Sequence, residues 1–138
     1  MKIIKATKDD LDHCTAISHI REFSFAYKAT DSQVKNYLSE FLKRGILLVA
    51  KDQGKVAGFI AAEYTLGRFV WVDALVVDKK HRRKGMGKAL FRKMETIARK
   101  KGFNNVFLAV PKFSEKSIEF YKSLKMRKGN ECIEFYKK

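Results

Sequence analysis

The 138-residue chain reads as a single domain, residues 1–138, of the mixed-sheet α/β class, and three observations predict this. Segments with strand and helix patterns alternate along the whole length, with no linker, repeat or low-complexity tract between them. The run Phe69-Val70-Trp71-Val72-Asp73-Ala74-Leu75-Val76-Val77 is apolar everywhere but Asp73, as in a strand covered on both faces. Between Met86 and Lys101, the residues Met86, Leu90, Met94, Ile97 and Lys101 recur at helical spacing, with Phe91 and Ala98 widening the stripe.

The elements follow in order. Lys2–Ala6 forms a first strand, and Thr7 then caps a helix over about residues 8–21, with Asp10 completing a capping-box pair. Leu11, Cys14, Ile17 and Ser18 mark its inner face. A second helix runs from Asp31 to about Lys43 with Val34, Leu38, Phe41 and Leu42 inward. The aromatic stretch Glu22–Thr30 between them is neither cleanly helical nor strand-like. Ile46–Lys51 and Lys55–Thr65 make a hairpin about Asp52-Gln53-Gly54, and Leu66-Gly67-Arg68 turns into the central strand. After the helix at 86–101 come a strand at 105–110, ended by Pro111, a helix at 114–125 and a closing strand at about 130–137.

At this length the chain buries about two-thirds of its unfolded surface. Nothing resembles a signal peptide and no apolar run approaches membrane-spanning length, so a cytoplasmic protein is expected. Cys14 and Cys132 are read as buried free thiols, because two lone cysteines make no disulfide framework. Three scattered histidines and two distant cysteines offer no metal-ligand spacing, and no metal is expected.

The chemistry begins at Arg82-Arg83-Lys84-Gly85-Met86-Gly87-Lys88, which lies after a strand and opens a helix. The first N–H groups of a helix lack partners, the helix dipole is positive there, and glycines let an anion approach the backbone. Such a loop is suited to phosphate. It is not the nucleotide P-loop: Gly87-Lys88 is followed by Ala89, and Arg82 stands where the first glycine would be. Nor is it the dinucleotide fingerprint, which needs glycine where Leu90 sits. What remains is R-x-x-G-x-G.

With that motif between strand and helix, the chain resembles the GNAT superfamily of N-acetyltransferases. That family places [Q/R]-x-x-G-x-[G/A] between its fourth strand and the next helix, on the pyrophosphate of acyl-coenzyme A. The family's hydrophobic triplet before the motif is matched by Leu75-Val76-Val77. Its N-x-x-A-x-x-x-Y-x-x-x-G-F segment resembles residues 114–126, with Tyr121 in place, Ser114 for Asn, Ser117 for Ala and Lys125-Met126 for Gly-Phe. The resemblance implies a mostly antiparallel mixed sheet with a splayed central strand pair and helices on both faces. It implies acetyl-CoA as cosubstrate, gripped by Leu75, Val76, Val77, Arg82, Arg83, Lys84, Gly85, Met86, Gly87, Lys88, Ser114 and Tyr121.

The implied reaction is acetyl transfer from the thioester to a primary amine of a small molecule or peptide. An amine of pKa about 10.4 is only about 0.1% neutral near pH 7.4, so a base contributes. Asp73, the one polar residue of the central strand, and Glu63, late on the preceding strand, are the candidates, alongside a water chain with no dedicated base. Closing the hairpin at Leu66-Gly67 sets residue 63 opposite 70 and residue 60 opposite 73, so Glu63 and Asp73 are expected on opposite faces. The resemblance assigns a backbone N–H near Leu75–Val77 to the oxyanion and the Tyr121 hydroxyl to the leaving thiolate. Periodicity alone makes Tyr121 a core aromatic beside Ile118 and Leu124. Glu22, Phe25 and Tyr27 are candidates to line the acceptor pocket, though the stretch serves equally as a helix–helix connection. Family enzymes that acetylate ribosomal-protein N-termini carry a Glu where this chain has Ala109, which counts against that substrate.

The formal charge of +15 is unevenly placed. Residues 1–78 carry 11 Lys/Arg against 10 Asp/Glu, and residues 79–138 carry 19 against 5. Coenzyme A has about four negative charges and would be steered by such a field, yet the excess is larger than it needs. An acidic or RNA-containing partner on the C-terminal half is the alternative to a solvated lysine surface. Two rival functions follow: a nucleic-acid-binding domain using Lys79–Lys84, and an acyl-CoA sensor without turnover. A membrane partner is not expected, and the chain is read as monomer or homodimer.

Overall fold

In the computed structural model, which describes residues 1–138, five strands lie side by side in chain order. They are β1 (Lys2–Lys5), β2 (Gly45–Asp52), β3 (Lys55–Tyr64), β4 (Phe69–Val77) and β5 (Asn105–Phe107). The first four pair antiparallel; β5 runs parallel to β4, and their pairing stops at Trp71–Phe107. The helices are α1 (Leu11–Ala16), α2 (Ser24–Tyr27), α3 (Asp31–Arg44), α4 (Met86–Lys100) and α5 (Glu115–Ser123).

Each face of the sheet carries its own core. Leu47, Val49, Phe59, Ala61, Ala74 and Val76 pack against α1, α2 and α3 through Leu11, Cys14, Val34, Leu38 and Phe41. Leu48, Ile60, Ala62, Val70 and Val72 pack on the other side against Met86, Leu90, Phe91, Met94 and Ala98 of α4. Helices therefore cover both faces. Burial alternates along β4, and the expected inner faces of α1, α3 and α4 face the cores, with Ile17, Leu42 and Ile97 only partly buried and Lys101 at the end of the α4 stripe exposed.

The first helix is shorter than its periodicity suggests. Lys8–Asp10 forms a 3-10 turn, with the Thr7 N–H donating to Asp10 Oδ2 at 2.9 Å, and α1 stops at Ala16. The stretch 22–30 contains the four-residue α2. The strand expected at 105–110 ends at Phe107.

Three expectations are corrected. Residues 127–138 form no strand, so the sheet has five strands and not six. The reason lies in the pattern: Cys132-Ile133 and Phe135-Tyr136 place apolar groups on both sides of any extended segment, and three-residue β5 offers little ladder to join. Cys132 is accordingly exposed, not buried, whereas Cys14 is buried and its thiol pKa is pushed up to about 12 by burial. The third correction is one of register. Ala61 pairs with Ala74 and Ala62 with Val72, which leaves Asp73 as an extra, bulged residue of β4. Glu63 therefore pairs with Trp71, not residue 70, and the bulge reverses which face each later β4 residue points to.

Candidate active site

The bulge brings the two candidate bases together. The Tyr37 hydroxyl, from α3, donates to Asp73 Oδ1 at 2.9 Å, so Asp73 faces the α3 side of the sheet. Glu63 lies on that same side, opposite Trp71 in the ladder and so next to the bulge; it is exposed and does not itself line the cleft. They are not on opposite faces. Asp73 Oδ2 is buried without a protein donor. Burial, and then the Glu63 carboxyl, push the Asp73 pKa up to about 7, against the Tyr37 hydrogen bond, which favours the ionised form. Neither carboxylate belongs to any of the ten ion pairs of a chain with 30 Lys and Arg, so neither is held as a structural salt bridge.

Asp73 lines a narrow cleft of about 50 Å³, together with Glu22, Phe23, Leu75, Ala109 and Tyr121. The cleft exists because β4 and β5 part beyond Trp71–Phe107. From Val72 onward, the β5 side of β4 has no ladder partner, and its backbone groups face residues 108–111 across the gap. This is the expected splay. Tyr121, carried in by α5, packs on Phe91 and Phe120, with ring centroids 6.2 and 5.1 Å away. Burial alone pushes its hydroxyl up to about 12, which leaves a protonated phenol at neutral pH.

The phosphate loop adjoins the cleft through the end of β4. Arg82 Nε–H donates to the Val77 carbonyl at 3.0 Å, pinning the loop to the strand. Gly85 adopts φ +81°, and a Cβ there would meet open space. The helix ladder begins only with the Ala89 N–H to the Gly85 carbonyl at 3.0 Å, so the preceding N–H groups have no helical acceptor. A Cβ on Gly87 would lie 3.3 Å from the Phe120 ring and 3.7 Å from Val77 Cγ2, so this glycine also lets α5 close on the loop. Arg82, Arg83, Lys84 and Lys88 are exposed around it. Leu75 sits two residues, about 7 Å, from Val77, so one strand ties the loop to the cleft.

Not every expected residue reaches the cleft. Met86 and Val76 bury their side chains in the cores, and only their backbone is available to a ligand. Ser114 is buried and donates to Ser117 Oγ at 2.7 Å; Ser117 lines the cleft and Ser114 does not. Phe25 and Tyr27 are both exposed and neither lines the cleft; Phe25 packs on Tyr37 with ring centroids 4.3 Å apart, which places it next to the Asp73 partner. Tyr37 was not among the residues singled out in the sequence. Its signal was a polar-tipped aromatic on the α3 turn carrying Val34, Leu38 and Phe41.

A phosphate-type loop at a helix start, opening along one strand into a splay lined by carboxyl and phenol groups, is the arrangement that the acetyltransferase resemblance calls for. The chain belongs to the Acetyltransferase (GNAT) family, whose sequence profile matches residues 14–126. Human N-acetyltransferase 8 is 32% identical over 104 residues, 72% of this chain, and the chain spans 45% of that relative's length. Among solved structures, aminoglycoside antibiotic 6'-N-acetyltransferase AAC(6')-IG from Acinetobacter haemolyticus superposes with a TM-score of 0.83 at 15% identity, covering 100% of this chain and 99% of that one. Aminoglycoside N-acetyltransferase AAC(6')-Iy in complex with CoA gives 0.83 at 20% identity, covering 99% and 93%. An N-acetyltransferase from Staphylococcus aureus Mu50 gives 0.77 at 21%, covering 90% and 81%. The fold of all three is the fold of this chain.

Proposed function

We propose that the protein transfers the acetyl group of acetyl-CoA to a primary amine by direct attack on the thioester. The observation that carries this reading is the continuity of loop and cleft along β4: a cofactor with its pyrophosphate at Gly85–Lys88 would lay its thioester arm along the free edge of Val72–Val77, beside Asp73 and Tyr121. Acetyl-CoA, when bound, would supply the activated acetyl group. The residues then have distinct tasks. Arg82, Arg83, Lys84, Lys88 and the free N–H groups of α4 hold the phosphates. Asp73, paired with Glu63, accepts the ammonium proton. A free β4 N–H stabilises the oxyanion, and Tyr121 gives its proton to the departing thiolate. Glu22 and Phe25 stand at the acceptor side. The test is thiol release from acetyl-CoA across diamines, aminoglycosides and peptide amines; acetyl-CoA that binds but is turned over with none of them leaves the sensor reading in its place.

Tyr121→Phe keeps the ring and loses only the hydroxyl. We expect kcat to fall at least tenfold with acetyl-CoA affinity unchanged, as for loss of a general acid. An unchanged kcat would end the assignment.

A second reading attaches to α4. Its solvent face presents Lys88, Arg92, Lys93, Arg99 and Lys100, with Glu95 the only acidic residue of the helix. Arg99 lies about 18 Å along the helix from Gly87 at 1.5 Å per residue, more than two Debye lengths at physiological salt. The far residues therefore contribute little to coenzyme binding, and an RNA phosphate backbone is the partner that suits them. Binding of single-stranded RNA should weaken steeply with salt, and Arg92→Glu/Arg99→Glu should flatten that slope. A slope unchanged by the double substitution would return these residues to the role of a solvated surface.

A further inference from the structure

We propose, resting on the acetyl-transfer reading for its chemistry, that Tyr37 is a positioning residue that holds Asp73 beside Glu63, and that this carboxyl pair takes the proton of the incoming ammonium group. Four features support it. The β4 bulge makes Asp73 an unpaired residue of the strand, so its side chain is free to turn toward α3. One carboxylate oxygen is fixed by the Tyr37 hydroxyl at 2.9 Å, while the other is buried with no protein donor. Glu63, opposite Trp71 on the same side of the sheet, is the neighbouring carboxyl. Tyr37 itself is immobilised by Phe25 at 4.3 Å and by an edge-on contact with Phe41 at 5.2 Å. Burial, followed by the Asp73 charge, pushes the Tyr37 hydroxyl well above its ordinary range, so it remains a donor throughout the working pH.

The groups facing Asp73 come from every surrounding element: Tyr37 from α3, Glu63 from β3, Glu22 from the segment before α2, and Tyr121 from α5. None is a cation. A protonated amine entering this cleft would bring the positive charge that the cleft lacks, and would surrender one proton to the carboxyl pair. The neutral nitrogen then attacks the thioester carbon, forming the C–N bond. The tetrahedral adduct collapses by breaking C–S, the thiolate takes the Tyr121 proton, and the nitrogen proton restores Tyr121. The pair releases the first proton to solvent, so the balance is ammonium plus acetyl-CoA to amide, free thiol and one proton.

Opposed shifts test this. In the free protein with 13C-labelled carboxyl groups, the titrating resonance lost in Asp73→Asn identifies Asp73. Tyr37→Phe keeps the ring contacts and removes one donor to the carboxylate, so the midpoint should move up by about half a pH unit or more. Glu63→Gln removes the carboxyl that raises it, so the midpoint should move down. A general loosening of the site would move both the same way. No movement, or movement in one direction, overturns the proposal. With an acceptor in hand, the acidic limb of kcat/KM should follow the same two directions at constant KM for acetyl-CoA; a limb that ignores both shifts also overturns it. Opposed shifts in a protein that fails to bind acetyl-CoA would sink the acetyl-transfer reading and leave the carboxyl pair standing.

Discussion

A Gly85→Glu/Gly87→Glu variant should lose acetyl-CoA binding by a factor of about 100 or more, with its fold retained. Gly85 is exposed, and a side chain there projects into open space at the mouth of the loop, where it would place a carboxylate against the incoming phosphates. Its φ of +81° adds strain for any other residue, on the order of 1–2 kcal/mol. At position 87 the new Cβ presses on the Phe120 ring at 3.3 Å, close enough to displace it by a few tenths of an ångström without opening the core. Two hydrogen bonds to a charged ligand contribute about 1.5–3 kcal/mol each, so losing two of them already accounts for the hundredfold. Calorimetric titration with acetyl-CoA at two salt concentrations measures it, with circular dichroism confirming the fold. Binding in the parent should fall only moderately with salt, because the pantetheine arm is uncharged. Affinity retained in the variant would mean that the coenzyme does not use this loop.

Why the loop was legible in the sequence and the carboxyl pair was not is a matter of range. The helix of α4, its buried stripe of Met86, Leu90 and Met94, and the left-handed Gly85 ahead of it are set by residues within a few positions of each other. Period and composition report such features directly. The Asp73 bulge depends on pairing between two strands, and a bulge leaves no mark in the alternation of a strand that is apolar almost throughout. The one-residue slip it introduces reversed the expected relation of Glu63 to Asp73. Tyr37 was hidden for another reason: on a helix, a tyrosine at core spacing gives no sign of where its hydroxyl ends. The expected closing strand is absent because the 132–136 segment, with Cys132-Ile133 and Phe135-Tyr136, has no single apolar face to lay on a core. The GNAT resemblance supplied what local pattern could not, namely that β4 and β5 part where they do.

The Asp73→Asn variant should lower kcat/KM at pH 7 by about a hundredfold, within the range for a lost general base, while making the protein more resistant to heat. The amide matches the shape of the protonated carboxyl and its oxygen can still accept from Tyr37, so the geometry of the cleft survives. The stability gain follows from the direction of the Asp73 shift. Burial raises its folded-state pKa to about 7 from an ordinary 3.8, so the native protein holds a proton that the unfolded chain releases. That contribution is fully present below pH 3.8 and is lost as pH rises through 7. The wild type therefore bears the cost of an ionised, poorly solvated carboxylate above neutrality, and the non-titrating amide does not. Discounted for the partial exposure of the site, the difference is on the order of 1 kcal/mol, or roughly 3–5 °C in Tm for a domain of this size. Thermal melts at pH 8 and near pH 4 measure it: the advantage should appear at pH 8 and vanish at the lower pH. A variant that lost activity and also melted lower at pH 8 would show that the ionised Asp73 stabilises the fold, and its catalytic loss would then have to be assigned to a disturbed structure.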